Sequence, residues 1–104
     1  MPARPARSTL DALGDPQRRA IVGLLAREPR SVRELADELP ISRPAVSRHL
    51  RLLKEAGLVT EEPQGTRRIY RLQEAGLDAV RADLERLWGD AAARFRLAAE
   101  NTSG

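Results

Sequence analysis

The chain contains no cysteine, which excludes disulfides, thiolate metal sites and thiol redox switches. Its one histidine, His49, has no second imidazole to join it in a metal site. Aromatics are almost as scarce: Tyr70, Trp88 and Phe95 are all there are, so Leu, Val, Ile and Ala must fill the core. No apolar run approaches the roughly 20 residues of a membrane span, and no signal peptide is visible. The expectation is a cytoplasmic protein with no membrane contact. Also missing are a nucleophile–base pair, a metal cluster and a glycine-rich phosphate loop, so the chain does not read as an enzyme and implies no cofactor. The 104 residues make one domain, near the lower end for a self-sufficient core. A chain this short and helical can complete its core by dimerising.

Net charge is only +3, and its distribution says more than its size. Residues 41–72 hold seven basic side chains against three acidic ones, while residues 73–104 hold four against six. Positive charge is therefore concentrated in one stretch, as a surface for nucleic acid requires.

That stretch, SRPAVSRHLRLLKEAGLVTEEPQGTRRIYRL from Ser42 to Leu72, reads as a helix followed at once by a basic hairpin. Ser42 is an N-cap residue, Pro44 suits the first turn, and Gly57 stands where a helix C′ residue takes positive φ. Between them Val46, His49, Leu50 and Leu53 recur at i, i+3, i+4 and i+7, which predicts one buried stripe. The opposite face carries Arg43, Pro44, Ser47, Arg48, Arg51 and Lys54. A helix apolar on one side and basic on the other suits a DNA major groove. The runs Leu58 to Glu62 and Arg67 to Leu72 are short and β-prone, with Pro63 expected to end the first and Gly65 to supply the turn. In the second run Tyr70 and Leu72 are expected to pack inward, with Arg68 beyond the sheet. His49, between Val46 and Leu50, reads as a half-buried, hydrogen-bonded imidazole; a phosphate contact is the competing role.

Upstream, residues 1–7 form a Pro/Arg-rich tail predicted to be disordered, in which Arg4 and Arg7 make a candidate DNA-touching arm. Ser8 or Thr9 starts a short helix containing Leu10 and Leu13. Asp15-Pro16 starts the next, which runs to about Arg27 with Ile21, Leu24 and Leu25 inward. Ser31 to Glu34 is a capping-box pattern opening a short helix, with Val32, Leu35, Ala36 and Leu39 inward. Glu34, Asp37 and Glu38 read as a solvated face rather than a cation site. From Glu74 to about Glu100 one long helix keeps Leu77, Val80, Leu84, Leu87, Trp88, Ala91, Phe95 and Ala98 in phase. One small domain cannot cover so long a stripe, so residues 74–100 are expected to form the dimer element, with Leu10 and Leu13 beside it. Gly89 falls on that helix's polar side. Residues 101–104 are expected to fray, leaving 8–100 as the domain.

The run Leu10-Asp11-Ala12-Leu13-Gly14-Asp15-Pro16-Gln17-Arg18 resembles the opening of ArsR/SmtB-type bacterial regulators. So do Glu34-Leu35-Ala36, Ser47-Arg48-His49-Leu50 with Ala56-Gly57-Leu58-Val59, and the Gly65-Thr66-Arg67-Arg68-Ile69-Tyr70 wing. The resemblance covers about residues 8 to 98. It implies a mainly α winged helix-turn-helix with a small β-hairpin, in the order α-α-α-α-β-β-α. It also implies a homodimer binding an inverted repeat on double-stranded DNA. The family's Cys-x-Cys metal segment is absent: the matching positions read Leu35-Ala36-Asp37-Glu38. The last helix offers Asp83 and Glu85 but no histidine. Metal sensing therefore does not carry over, and any effector would be another small molecule.

The reading is thus a sequence-specific regulator, a repressor by family, using recognition helix 42–56 and wing 58–72. Ser42, Arg43, Pro44, Ser47 and Arg48 would face base edges, and Arg51, Thr66, Arg67 and Arg68 would clamp phosphates. The competing class is a winged-helix module that binds protein instead, which leaves the basic helix face unexplained.

Overall fold

Asp15 starts the first long helix for a local reason. Its carboxylate accepts the amides of Gln17 at 2.8 Å and Arg18 at 3.2 Å, and Pro16 fills the first turn, where a missing N–H costs nothing. In the computed structural model, which describes residues 9–102, this helix is α2, Pro16–Arg27, preceded by the one-turn helix α1, Thr9–Ala12. The chain continues through strand β1 (Arg30–Ser31), helices α3 (Val32–Glu38) and α4 (Arg43–Glu55), strands β2 (Val59–Gln64) and β3 (Arg67–Leu72), and the long helix α5 (Glu74–Thr102). The tail with Arg4 and Arg7, and the alternative cap Ser8, lie outside the described residues.

The capping box at α3 is closed in both directions: Glu34 N–H donates to Ser31 Oγ at 3.2 Å, and Ser31 N–H to Glu34 Oε1 at 2.9 Å. Helix α4 begins on Ser42, whose hydroxyl accepts the Ala45 amide at 3.3 Å. It ends before Gly57, whose φ of 79° is reached without strain only by glycine.

Ile21, Leu35, Val46, Leu50, Leu53, Leu58 and Val59 are wholly buried and join α2, α3, α4 and the hairpin into one core. Each such side chain contributes about 1.5–3 kcal/mol of transfer free energy. The helix-turn-helix is α3 and α4, set against α2.

The sheet departs from expectation in three ways. It has three strands, in the order β1-β3-β2, all antiparallel. The extra strand pairs Arg30 with Tyr70 and Ser31 with Ile69; two residues carry no periodicity, so the pattern hid it. Pro63 does not end β2: it stands opposite Arg68, and Gln64 opposite Arg67, so the loop is only Gly65-Thr66. Because β2 is an edge strand, a residue without an N–H interrupts no second ladder. Gly65, first in the loop, takes the positive φ (65°) of a two-residue hairpin. Tyr70 and Leu72 do pack against the core, but Ile69 on the opposite face is buried as well, which the alternation did not anticipate.

Helix α5 leans on α1, where Thr9 Oγ1 donates to Asp83 Oδ2 at 3.4 Å. At 29 residues it is roughly 44 Å long, and the molecule extends 67 Å along its longest axis against 36 Å and 22 Å across it. The radius of gyration, 17.8 Å, accordingly exceeds the roughly 13 Å of a compact chain this size. The helix continues to Thr102, two residues past the expected boundary.

Candidate nucleic-acid interface

The face of α4 turned away from the core is cationic and unencumbered. Arg43, Pro44, Ser47, Arg48 and Arg51 are exposed, while Val46, Leu50 and Leu53 anchor the other side. Among the described residues no carboxylate pairs with Arg43, Arg48 or Arg51. Arg43 also sits in the first turn, with no acidic residue there to offset it. A cation at a helix N-terminus opposes the helix dipole, so this local rule is broken where an external anion would repair it. Ser42 is exposed too, and with its hydroxyl accepting the Ala45 amide it keeps its proton and one lone pair.

The wing arginines are held differently. Arg68 meets Glu61 at 3.3 Å, Arg71 meets Glu62 at 2.8 Å, and Arg67 lies 3.9 Å from Glu34 on α3. The arginine of each pair is exposed, although Glu61 is not, so each guanidinium can exchange its carboxylate for a phosphate. Thr66 is exposed at the tip beside them. Arg51 belongs to the exposed face of α4, and Thr66, Arg67 and Arg68 are exposed at the hairpin tip.

His49 lies half-buried in the α4 stripe, and its Nδ1 is 3.3 Å from an Arg18 guanidinium nitrogen. A guanidinium can only donate, so this nitrogen accepts and the ring proton sits on Nε2. The same Arg18 donates from Nε to the Ala12 carbonyl, tying α4 to α2 and α1. The LxALGDPxR stretch carried this arginine, but nothing in its spacing marked it as buried. Arg30 is likewise buried, with Glu38 at 2.9 Å and Glu28 at 3.8 Å, so Glu38 serves structure. Among the described residues no group of three potential ligands could hold a metal ion.

The proposed dimer face divides. Val80 belongs to the core of the single chain, and Leu13 packs against that core. Leu77, Leu84, Leu87, Trp88, Ala91 and Phe95 are exposed, Trp88 and Phe95 to 75% and 76%, and Leu10 is half-buried. Leu97, outside the expected stripe, is exposed with them. Trp88, Ala91, Ala92, Phe95 and Arg96 line an open apolar hollow of about 680 Å³.

Comparison with known proteins settles the family. The model of the bacterial regulatory protein arsR family matches residues 15–61, the span from the α2 cap to the Glu61 strand position. The HTH-type transcriptional regulator Rv2034 of Mycobacterium tuberculosis is 58% identical over 77 residues, 74% of this chain and 72% of that protein. The chain belongs to the ArsR family. The HTH-type transcriptional repressor SmtB of the same organism is 43% identical over 89 residues, covering 79% of this chain and 66% of that protein. The crystal structure of a possible transcriptional regulator for arsenical resistance superposes with a TM-score of 0.79 at 41% identity, over 88% of this chain and 95% of that one. The solution structure of the homodimeric winged helix-turn-helix DNA-binding domain Mb0332 from Mycobacterium bovis gives a TM-score of 0.62 at 34% identity, over 79% and 75%. As an ArsR-family winged helix-turn-helix, the chain is a DNA-binding transcriptional regulator and not an enzyme. None of its described helices is long and apolar enough to cross a membrane.

Proposed function

We propose that the chain is a homodimeric repressor that binds an inverted repeat and is not gated by metal. The observation that carries this reading is the pairing of two surfaces on one small body. One is the α4 face, where no carboxylate among the described residues pairs with Arg43, Arg48 or Arg51; the other is the apolar face of α5, exposed in the single chain. Arg43, Pro44, Ser47 and Arg48, with Ser42 at the cap, enter the major groove, where an arginine fork fits the O6 and N7 of guanine. Arg51, Thr66, Arg67 and Arg68 hold the flanking phosphates. A second copy on α5 repeats both contacts about one helical turn away. Relatives named as a repressor and as a homodimeric DNA-binding domain support this reading. A protein-binding module would need an apolar α4 face, and this one is basic.

Two measurements test it. Selection from a random duplex pool should enrich an inverted repeat with half-sites roughly 10 bp apart, bound far more tightly than scrambled DNA at physiological salt. Equal retention of all sequences would overturn specific recognition. Micromolar Zn²⁺ should leave the selected complex intact, because there is no thiolate and the one imidazole already accepts from Arg18. Chelator-reversible release by Zn²⁺ would end the metal-independent reading.

A further inference from the structure

One carboxylate joins the end of the recognition helix to the wing. Glu61, on β2, accepts Lys54 Nζ at 2.8 Å and an Arg68 guanidinium nitrogen at 3.3 Å through the same oxygen. It stands directly opposite Tyr70 in the ladder, beside the phenol. Lys54 lies in the last turn of α4, while Arg68 and Tyr70 belong to β3, so three elements meet on one side chain. The exposures decide which partner is fixed. The Glu61 side chain is 18% exposed, against 53% for Lys54 and 66% for Arg68. The cations can swing outward; the carboxylate cannot. Glu61 shares the core-facing side of the sheet with buried Val59, which holds it there. Nothing in α4 folding requires this carboxylate, since Leu50, Leu53, Leu58 and Val59 already join helix and hairpin. A negative charge this close to a phosphate-binding surface also costs affinity for any DNA.

We propose that Glu61 is a positioning residue for sequence discrimination: it fixes the wing against the end of the recognition helix and restrains Lys54 and Arg68 from seizing phosphates in any register. The proposal rests on the DNA-binding reading and adds to it a residue that touches no base. With Glu61 in place, Arg68 reaches a phosphate only where the helix is seated correctly. Without it, two free cations at the helix–wing junction favour every register alike.

The test compares wild type, Glu61→Gln and Glu61→Asp on a duplex the wild-type protein itself selected and on a scrambled duplex of equal composition. Glu61→Gln should bind the scrambled duplex roughly three- to tenfold more tightly, with a steeper salt dependence. It should bind the selected one about as before, so the preference falls by the same factor. Glu61→Asp keeps the charge but is one methylene short of Lys54 and Arg68. It should also lose preference, through weaker binding to the selected duplex. If Glu61→Gln strengthens both duplexes equally and Glu61→Asp matches wild type, Glu61 is a counterion and the proposal fails. No change in either variant overturns it as well. Amide exchange without DNA provides an independent arm: Glu61→Gln should speed exchange across β2 and β3 and leave the α4 core unaltered. Should wild type select no sequence, the DNA reading fails on that result alone, and the exchange arm still decides whether Glu61 holds the wing.

Discussion

Arg48 and Arg68 carry the same charge in different company. Arg48 is exposed one turn into α4 and pairs with no carboxylate among the described residues, whereas Arg67 and Arg68 flank a two-residue hairpin loop and already lean on Glu34 and Glu61. A guanidinium on a rigid helix can present a fixed fork to a base; one at a hairpin tip is better suited to backbone charge. Bidentate base contacts discriminate by about 1–3 kcal/mol, and each lost phosphate contact flattens the salt dependence by about 0.9 in log–log slope. Arg48→Ala should therefore bring binding of the selected duplex towards the scrambled level with little change in slope. Arg67→Ala with Arg68→Ala should weaken both duplexes and flatten the slope; the reverse pattern would exchange the two roles. Tyr70 offers a reading of the fold without DNA. Burial first, then the Glu61 carboxylate, push its hydroxyl up from 10.0 to about 12. The neutral phenol is favoured in the folded state, so this stabilisation is complete below pH 10 and is lost as pH rises towards 12. Tyr70 is the one tyrosine, so absorbance near 295 nm reads it alone. At about pH 11 the native protein should show little tyrosinate while the urea-unfolded chain shows most of it. Coincident titrations would mean that the phenol is not packed as described.

At the scale of elements, legibility followed how local the cause was. The caps at Asp15, Ser31 and Ser42, the Pro at each first turn of α2 and α4, and the stop at Gly57 are written in adjacent residues, and all were readable. The basic face of α4 was readable for the same reason. What escaped the pattern depends on partners distant in sequence. Strand β1 exists because Ser31 meets Ile69, and β2 runs on to Gln64, opposite Arg67, because Gly65-Thr66 suffices as a loop. Lengthening the strand leaves each side chain on its face, so Tyr70 and Leu72 point inward as expected. The ion pairs of the wing, and with them Glu61, could not be assigned without that register. Gly76 is the sharpest case. A Cβ there would lie 2.1 Å from the Gly57 carbonyl oxygen and 2.9 Å from Leu58 Cα, so the start of α5 seats directly on the α4 stop. Backbone cannot yield as a side chain can, so Gly76→Ala should cost at least about 2 kcal/mol and lower the melting temperature by roughly 10 °C. Gly89, later in the same helix, meets nothing within 4 Å. Gly89→Ala should instead raise stability by about 0.5–1 kcal/mol through helix propensity. Thermal melts of the two variants check both signs. A loss at Gly89 would mark it as a point where a partner helix approaches closely.

For the whole molecule, the decisive feature is a 29-residue helix whose apolar face is covered only at its start. The first turns of α5 are covered, with Gly76 and Val80 buried, but from Leu84 onward the apolar positions face outward. Leaving Leu84, Leu87, Trp88, Phe95 and Leu97 in water forfeits burial worth about 1.5–3 kcal/mol for each large side chain, so the isolated chain is an incomplete packing unit. In the proposed dimer a two-fold partner presenting the same face would repair that loss for both chains and set two α4 helices at a fixed spacing. Affinity for an inverted repeat would then depend on α5, because the second half-site would be bound at the high effective concentration the first provides. Leu84→Asp puts a carboxylate in the seam and should give monomer by sedimentation. It should also red-shift the emission of Trp88, the one tryptophan and so an unambiguous reporter. Preference for a two-half-site duplex over a single half-site should largely vanish, while the α4 face remains intact. Leu87→Ser removes apolar area without adding charge and should shift the same equilibrium less. It carries the test through dilution series if the aspartate variant aggregates. A well-folded Leu84→Asp dimer with unchanged Trp88 emission would show that the chains join elsewhere, and the spacing of the two recognition helices would have to be sought from another face.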